Sequence, residues 1–205
     1  MLKIENTMEE LLLNLGFSHT LSKVTPYLFA ILFGIMFMRQ VCKSSYLKNI
    51  IAKWIIAILV LLLPFAGYFS VNPIYEGDFS QNGKEIKIRN AKTTELKNGL
   101  LVLTIPGCPY CFESIPSLKQ LKKRNPKLNI TFVVTGADDK SVMKDYLKEV
   151  NGAFQVELMP NSIALVREAG EFFPAFVMVK NGTANYVWTN DQFGVRAKDR
   201  LENWK

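Results

Sequence analysis

Apolar residues are concentrated in the first third of the chain, where they form two long runs. The stronger run covers residues 54–71, and no charged residue occurs between Lys53 and Glu76. The hydrocarbon core of a bilayer is about 30 Å thick, and a helix needs roughly 20 apolar residues to cross it. The pattern therefore predicts a membrane-spanning helix over residues 52–71.

A shorter apolar run covers residues 24–38 and is bracketed by Lys23 and Arg39. The run has 15 uncharged residues, which is few for a span. Lys and Arg side chains can extend toward the lipid headgroups, however, and this lengthens the effective segment. We therefore expect a second span over residues 24–41, with a re-entrant or interfacial helix as the alternative.

The segment between the two runs is basic. It contains no acidic residue and carries Arg39, Lys43, Lys48 and Lys53. Because an excess of Lys and Arg marks cytoplasmic loops, we expect a helical hairpin whose two ends lie outside. The chain after residue 71 is then exported, even if only the stronger run spans. A cleaved signal peptide is disfavoured, because residues 1–10 are acidic and lack a basic start.

The pattern of polar residues changes after residue 71. Residues 72–83 are rich in turn-forming Asn, Pro, Gly and Asp, and they predict a linker. Residues 85–89 alternate polar and apolar side chains, which is typical of a half-buried edge strand. Residues 100–105 form an apolar run, as in a strand covered on both faces. Apolar positions at helical spacing follow over residues 109–124.

The rest of the chain alternates strands and helices before it ends in a hairpin and a helix. Asn181-Gly182 is a strong hairpin signal between the last two strands. The expected elements are a strand at 128–134, a helix at 138–150, an extended piece at 154–158, a helix at 160–169, strands at 176–179 and 184–188, and a helix at 195–204. They predict an α/β domain over residues 84–205, with a mixed central sheet and helices on both faces.

Composition and charge limit the expected partners of the chain. The chain has 205 residues and a formal net charge of +7, but the part after residue 71 carries 19 basic and 15 acidic residues, a net charge of only +4. No basic face interleaved with aromatic residues stands out, so we expect no nucleic-acid partner. The apolar runs make a lipid bilayer the expected partner of residues 1–71.

The candidate chemistry lies in Cys108 and Cys111, which follow the apolar run and begin the helix. A helix N-terminus carries partial positive charge and unpaired N–H groups that stabilise a thiolate. A thiolate is the species that attacks disulfides, so the pair predicts a thiol–disulfide redox site. Cys108 lies nearest the helix start and is the expected exposed nucleophile, whereas Cys111 is the expected buried resolving thiol.

Two other interpretations fit a cysteine pair of this spacing. Zinc requires four ligands, and Cys42 and His19, the only other cysteine and histidine, lie far upstream. A static structural disulfide is the second alternative, but strained four-residue loops at helix starts are more often labile. We therefore predict no metal site and no cofactor.

Three further features accompany the Cys-Pro-Tyr-Cys motif: the preceding buried strand, Pro116 inside the following helix, and the segment at 173–182. Together they resemble the thioredoxin-like superfamily, in which a cis-proline precedes a strand that ends in a Lys-Asn-Gly-like turn. Pro174 stands at that position. The resemblance covers residues 84–205 and implies a thioredoxin-like mixed sheet. With the membrane anchor, it implies a thiol–disulfide interchange protein of the bacterial inner membrane whose soluble domain lies on the periplasmic side.

The resemblance has two departures and implies a substrate contact. Pro106-Gly107 replaces the tryptophan that often precedes the first cysteine, and residues 100–105 lack the buried acidic residue of many members. The expected substrate-binding residues are Pro109, Tyr110, Phe173 and Pro174. Pro109 suits the first helical turn, where its missing N–H costs nothing. The backbone at Pro174 is expected to pair with an extended substrate segment.

The leading hypothesis is a membrane-tethered thiol–disulfide oxidoreductase that acts on exported proteins with cysteines. The predicted span has no polar residue to carry electrons, so a membrane redox partner must supply or accept them. One alternative is a Cu(I) metallochaperone that uses the same two thiolates. That role usually needs a further His or Met, and only Met178 is near the proline. Another is a structural subunit that docks a redox domain beside a quinone-linked membrane protein. The dipeptide between the cysteines occurs in reductants and oxidants and leaves the direction open.

Overall fold

The chain forms two units in the computed structural model, and they divide between Tyr75 and Glu76. The structure describes residues 7–44, 49–80, 83–88, 98–136, 140–159 and 163–204. Several predicted features lie outside these residues: Lys48 of the basic segment, the turn at 81–82, the end of the strand at 89, and the helix starts at 138 and 160.

The first unit is helical. Its elements are α1 (Thr7–Asn14), α2 (His19–Lys43) and α3 (Ile50–Val71). Both α2 and α3 are long and apolar enough to cross a membrane, and they form the expected hairpin. The sequence pattern did not predict α1, and it placed the start of α2 too late. The helix begins at the N-cap Ser18, whose hydroxyl accepts a hydrogen bond from the Leu21 N–H at 3.2 Å.

Close packing joins α2 to α3 at two levels. A Cβ atom on Gly34 would lie 2.4 Å from the Leu61 carbonyl oxygen, so the backbones touch at a point where only glycine fits. Further along, the Tyr27 ring packs against Phe65 and Tyr68, with centroids 5.9 and 4.8 Å away. The Tyr27 hydroxyl also donates to the Asn72 carbonyl. These contacts fix the register of the two helices.

The second unit is built on a six-stranded mixed sheet. Its strands are β1 (Lys84–Ile88), β2 (Gly99–Thr104), β3 (Ile130–Val134), β4 (Gln155–Leu158), β5 (Ala175–Lys180) and β6 (Thr183–Trp188), in the order β1-β6-β5-β2-β3-β4. Strand β2 is parallel to β3 and antiparallel to β5. The helices of this second unit are α4 (Pro109–Arg124), α5 (Met143–Val150), α6 (Ile163–Glu168) and α7 (Val195–Glu202).

Two apolar layers cover the faces of the sheet. Successive side chains of a strand point to opposite faces, so Leu100 and Val102 enter one layer and Leu101 and Leu103 enter the other. Helices α4, α5 and α7 pack on the first face, and Leu165 of α6 packs on the second. Strands β2 and β3 are buried along their whole length, which explains their apolar sequences. The predicted α/β architecture with helices on both faces is confirmed.

Residues in turns determine where several of the strands and helices begin and end. Asn181 and Gly182 both have positive φ angles, 53° and 69°, as a type I′ hairpin between β5 and β6 requires. Asn151 and Gly152, with φ angles of 50° and 75°, end α5 in the same left-handed region. The strand predicted at 128–134 starts two residues later, because the Leu128 N–H bonds to the Asn125 carbonyl in a turn.

Candidate functional site

Cys108 and Cys111 form a disulfide at the N-terminus of α4. Their sulfur atoms lie 2.17 Å apart and their Cα atoms 5.3 Å apart. Cys108 is the N-cap of the helix, and Pro109 occupies the first helical position. The apolar strand β2 therefore delivers the chain to the start of α4, and the two cysteines lie on its first turn.

The helix terminus provides a hydrogen bond to the first sulfur. The Cys108 Sγ accepts from the Cys111 N–H at 3.2 Å, and Cys108 has an extended conformation with φ −74° and ψ 109°. The partial positive charge of the helix terminus acts at the same place. After reduction, both effects favour the thiolate of Cys108 over its thiol.

The two cysteines differ in depth. Cys111 is completely buried, whereas 6% of Cys108 is exposed in the disulfide form. Cys111 is the more deeply buried of the two, as predicted. The expectation of an exposed Cys108 is wrong for the disulfide form. The reason is that both cysteines belong to the apolar layer that α4 shares with the sheet.

The residues beside the disulfide form an exposed surface. Ile105, Pro106 and Gly107 precede Cys108 and are all exposed, as is Pro109. The Tyr110 side chain of the motif has 62% of its surface exposed. An apolar surface of this kind is suited to contact with another chain.

The segment before β5 reaches the same edge of the sheet. Because Ala175 pairs with Leu103 in the antiparallel β2–β5 ladder, Pro174 lies level with the C-terminal end of β2. The Phe173–Pro174 peptide bond is cis, as the resemblance implies. Pro174 itself is buried and Phe173 packs against both apolar layers, whereas Phe172 is 66% exposed. Phe172 therefore presents the accessible ring of this segment.

Sequence reasoning missed one side chain at the site, Tyr146 of α5. Its hydroxyl donates to the Ile105 carbonyl at 2.7 Å, and its ring stacks on Phe112 with centroids 4.6 Å apart. Burial raises the pKa of Tyr146 above its ordinary value of 10.0, although a hydrogen bond with Thr104 opposes this effect. The spacing of Tyr146 and Val150 on one helix face could have shown that the residue is buried, but not which groups it meets.

A polar network ties the ends of the two central strands together. The Thr135 N–H and hydroxyl both donate to the Thr104 carbonyl, at 2.8 and 3.0 Å. The Thr104 hydroxyl in turn donates to the Val133 carbonyl at 3.2 Å. Among the described residues, none of the buried polar side chains is acidic. The side-chain groups of this network are therefore hydroxyls.

Comparison with known proteins gives one family match. The family model described as thioredoxin matches residues 77–188, slightly more than half of the chain. A search of curated proteins found no match.

Several solved structures are similar to part of the chain. A secreted disulfide oxidoreductase of Mycobacterium tuberculosis, homologous to E. coli DsbE, is 24% identical over 52% of this chain and 78% of its own, with a TM-score of 0.39. The thioredoxin domain of a thiol–disulfide oxidoreductase from Bacteroides vulgatus is 16% identical over 57% and 91%, with a TM-score of 0.40. The apo Sco1 protein from Thermus thermophilus is 19% identical over 63% and 94%, with a TM-score of 0.38.

Proposed function

Since the chain belongs to the thioredoxin family, we propose that it is a membrane-tethered thiol–disulfide oxidoreductase acting on exported proteins that contain cysteines. One observation carries the proposal. Cys108 caps α4, its sulfur accepts the Cys111 N–H, and the same sulfur is bonded to Cys111. The two sulfurs are therefore close enough to exchange a disulfide, and the nucleophile has a donor that stabilises its charge.

Exchange in the reducing direction has two steps. The Cys108 thiolate attacks one sulfur of a substrate disulfide, forms a mixed disulfide and expels the other substrate sulfur as a thiolate. The Cys111 thiolate then attacks the Cys108 sulfur and expels the second substrate sulfur. The substrate gains two electrons and its disulfide becomes two thiols, while the Cys108–Cys111 disulfide forms.

The oxidising direction is the reverse. A substrate thiolate attacks Cys108 in the Cys108–Cys111 disulfide and expels the Cys111 thiolate. A second substrate thiolate then displaces Cys108, so the substrate leaves as a disulfide and the enzyme as a dithiol. The direction depends on the potential of the pair relative to its redox partner, and about 30 mV corresponds to 1.4 kcal/mol for this two-electron couple.

We assign substrate contact to the surface around the disulfide. Pro109 and Tyr110 lie between Cys108 and Cys111 and are exposed, and Phe172 adds a second exposed ring beside Phe173 and Pro174. An extended apolar segment of the substrate would lie across these residues with its cysteine at Cys108. The backbone at Pro174 would pair with that segment by strand addition.

We further propose that residues 1–71 anchor the protein in the bacterial inner membrane and that residues 72–83 link them to the redox domain. The apolar helices α2 and α3 support the anchor. The basic residues Arg39, Lys43 and Lys53 near the turn of the hairpin favour a cytoplasmic loop, which puts the domain on the periplasmic side. A membrane redox partner would then exchange electrons with the Cys108–Cys111 pair there.

Turnover by the full-length chain in detergent tests this proposal. We expect the wild type to catalyse insulin reduction with dithiothreitol, and Cys108→Ser to abolish it. Cys42→Ser is the matched control, because it removes a cysteine outside the motif and should retain full activity. Equilibration in glutathione buffers gives the midpoint potential.

Two results would contradict the proposed oxidoreductase activity. Absence of turnover by the wild type, or full turnover by Cys108→Ser, contradicts it. A stoichiometric Cu(I) complex without disulfide exchange would favour the copper-binding alternative, in which the two sulfurs are metal ligands.

A further inference from the structure

We infer that Tyr146 is a positioning residue for the disulfide site, because this buried side chain contacts both the loop before Cys108 and the helix after Cys111. The inference deepens the proposed function and rests on it: Tyr146 acts through its contacts with Ile105 and Phe112, which lie on either side of the two cysteines in the chain.

The first contact is on the entry side of the motif. The Tyr146 hydroxyl donates to the Ile105 carbonyl at 2.7 Å, which fixes the chain three residues before Cys108. Ile105, Pro106 and Gly107 are all exposed, and Gly107 has a φ of +68°. Pro106 has no N–H to bond with. The Tyr146 hydroxyl therefore holds the backbone at the point where this exposed segment begins.

The second contact is on the exit side. Phe112 directly follows Cys111, and its ring stacks on the Tyr146 ring with centroids 4.6 Å apart and planes inclined by 23°. The two contacts therefore fall on opposite sides of the Cys108–Cys111 pair. Together they set the distance between the entry loop and the first turn of α4.

The ring itself is firmly held. Tyr146 is completely buried, and its ring also lies near Phe132 of β3, with centroids 6.0 Å apart. Burial keeps the hydroxyl protonated, since it raises the pKa of Tyr146 above the ordinary value. The hydroxyl therefore remains a donor to the Ile105 carbonyl throughout the neutral pH range.

The consequence appears after reduction. Once the disulfide opens, the Cys108 sulfur depends on its backbone to stay near the Cys111 N–H, which lies 3.2 Å away in the oxidised form. A looser entry loop would let the sulfur move away from this donor and from the helix terminus. Removal of the Tyr146 hydroxyl should then make the Cys108 thiolate harder to form.

The test measures Cys108 as the only thiol in the full-length chain. In the background Cys42→Ser/Cys111→Ala, the rate of alkylation by iodoacetamide is followed from pH 4 to pH 10 in detergent. We expect Tyr146→Phe, which retains the ring, to raise the inflection pH and to slow alkylation at neutral pH by about threefold. Tyr186→Phe is the matched control, because its ring lies on β6 and stacks on Arg200 and Trp188 instead.

A merely structural tyrosine would lower the melting temperature and leave the inflection pH unchanged. An unchanged inflection in folded Tyr146→Phe therefore overturns the inference, as does an equal shift in Tyr186→Phe. If Tyr146→Phe does not fold, Phe112→Leu tests the stacking contact, and an unchanged inflection there overturns the inference too. Failure of the proposed function is distinct, because it appears as absence of insulin turnover by the wild type.

Discussion

Tyr110 offers the sharpest test of the substrate surface. A tyrosine carries about 200 Å² of accessible surface, and 62% of Tyr110 is exposed. A docked segment that covers half of the exposed part would remove roughly 60 Å² from water, which stabilises the complex by about 1.5 kcal/mol at about 25 cal/mol per Å². We therefore expect Tyr110→Ala to lower kcat/KM for a protein disulfide by about tenfold, mainly through KM.

The assay compares two substrates. Insulin is large enough to cover Tyr110, whereas glutathione disulfide reaches Cys108 with far less contact. Tyr110→Ala should impair reduction of insulin and leave reduction of glutathione disulfide close to the wild-type rate. Tyr75→Ala is the control, because Tyr75 is equally accessible at 66% but lies outside the motif. An equal loss for both substrates, or no loss for insulin, would refute the reasoning.

Three further outcomes are expected for the full-length chain in detergent. Because the pKa of Tyr146 is raised in the folded state, its contribution to the free energy of unfolding should be constant below pH about 10 and should be lost as pH rises further. Chemical denaturation across this range should show a smaller fall in Tyr146→Phe, and an equal fall would contradict the assignment. Gly77→Ala should lower the melting temperature, since its Cβ would lie 1.4 Å from the Asp191 carbonyl oxygen, whereas Gly67→Ala meets nothing within 4 Å and should not. Leu118→Ala should lower the free energy of unfolding by about 2–5 kcal/mol, since the side chain is 1% exposed in the apolar layer beneath α4. A loss below about 1 kcal/mol would mean that this layer is loosely packed.

Much of the fold follows from patterns that are local in the sequence. The apolar runs predict α2 and α3, and the alternation of strand and helix patterns predicts the mixed sheet. Asn181-Gly182 predicts a hairpin turn because both residues tolerate a positive φ. Cys108 and Pro109 mark the start of α4. The N–H groups of the first helical turn have no partner within the helix, so a proline, which lacks an N–H, loses nothing there. These features depend on neighbours within a few residues.

Other features could not be predicted locally. The start of α2 at His19 depends on the hydroxyl of Ser18, a cap that the hydropathy pattern does not show. Pro174 was expected from the family resemblance, but its burial and the exposure of Phe172 follow from how the segment packs before β5.

The sequence by itself determined that two thiols lie at a helix start behind a buried strand, because periodicity, capping and turn preference act between residues that are close along the chain. The tertiary structure alone decided how deep Cys108 lies and which groups support it. Tyr146 is 41 residues from Ile105, and Thr135 is 31 residues from Thr104. Contacts of this separation depend on the order of strands in the sheet and on the packing of α4 and α5, so no pattern within either segment specifies them.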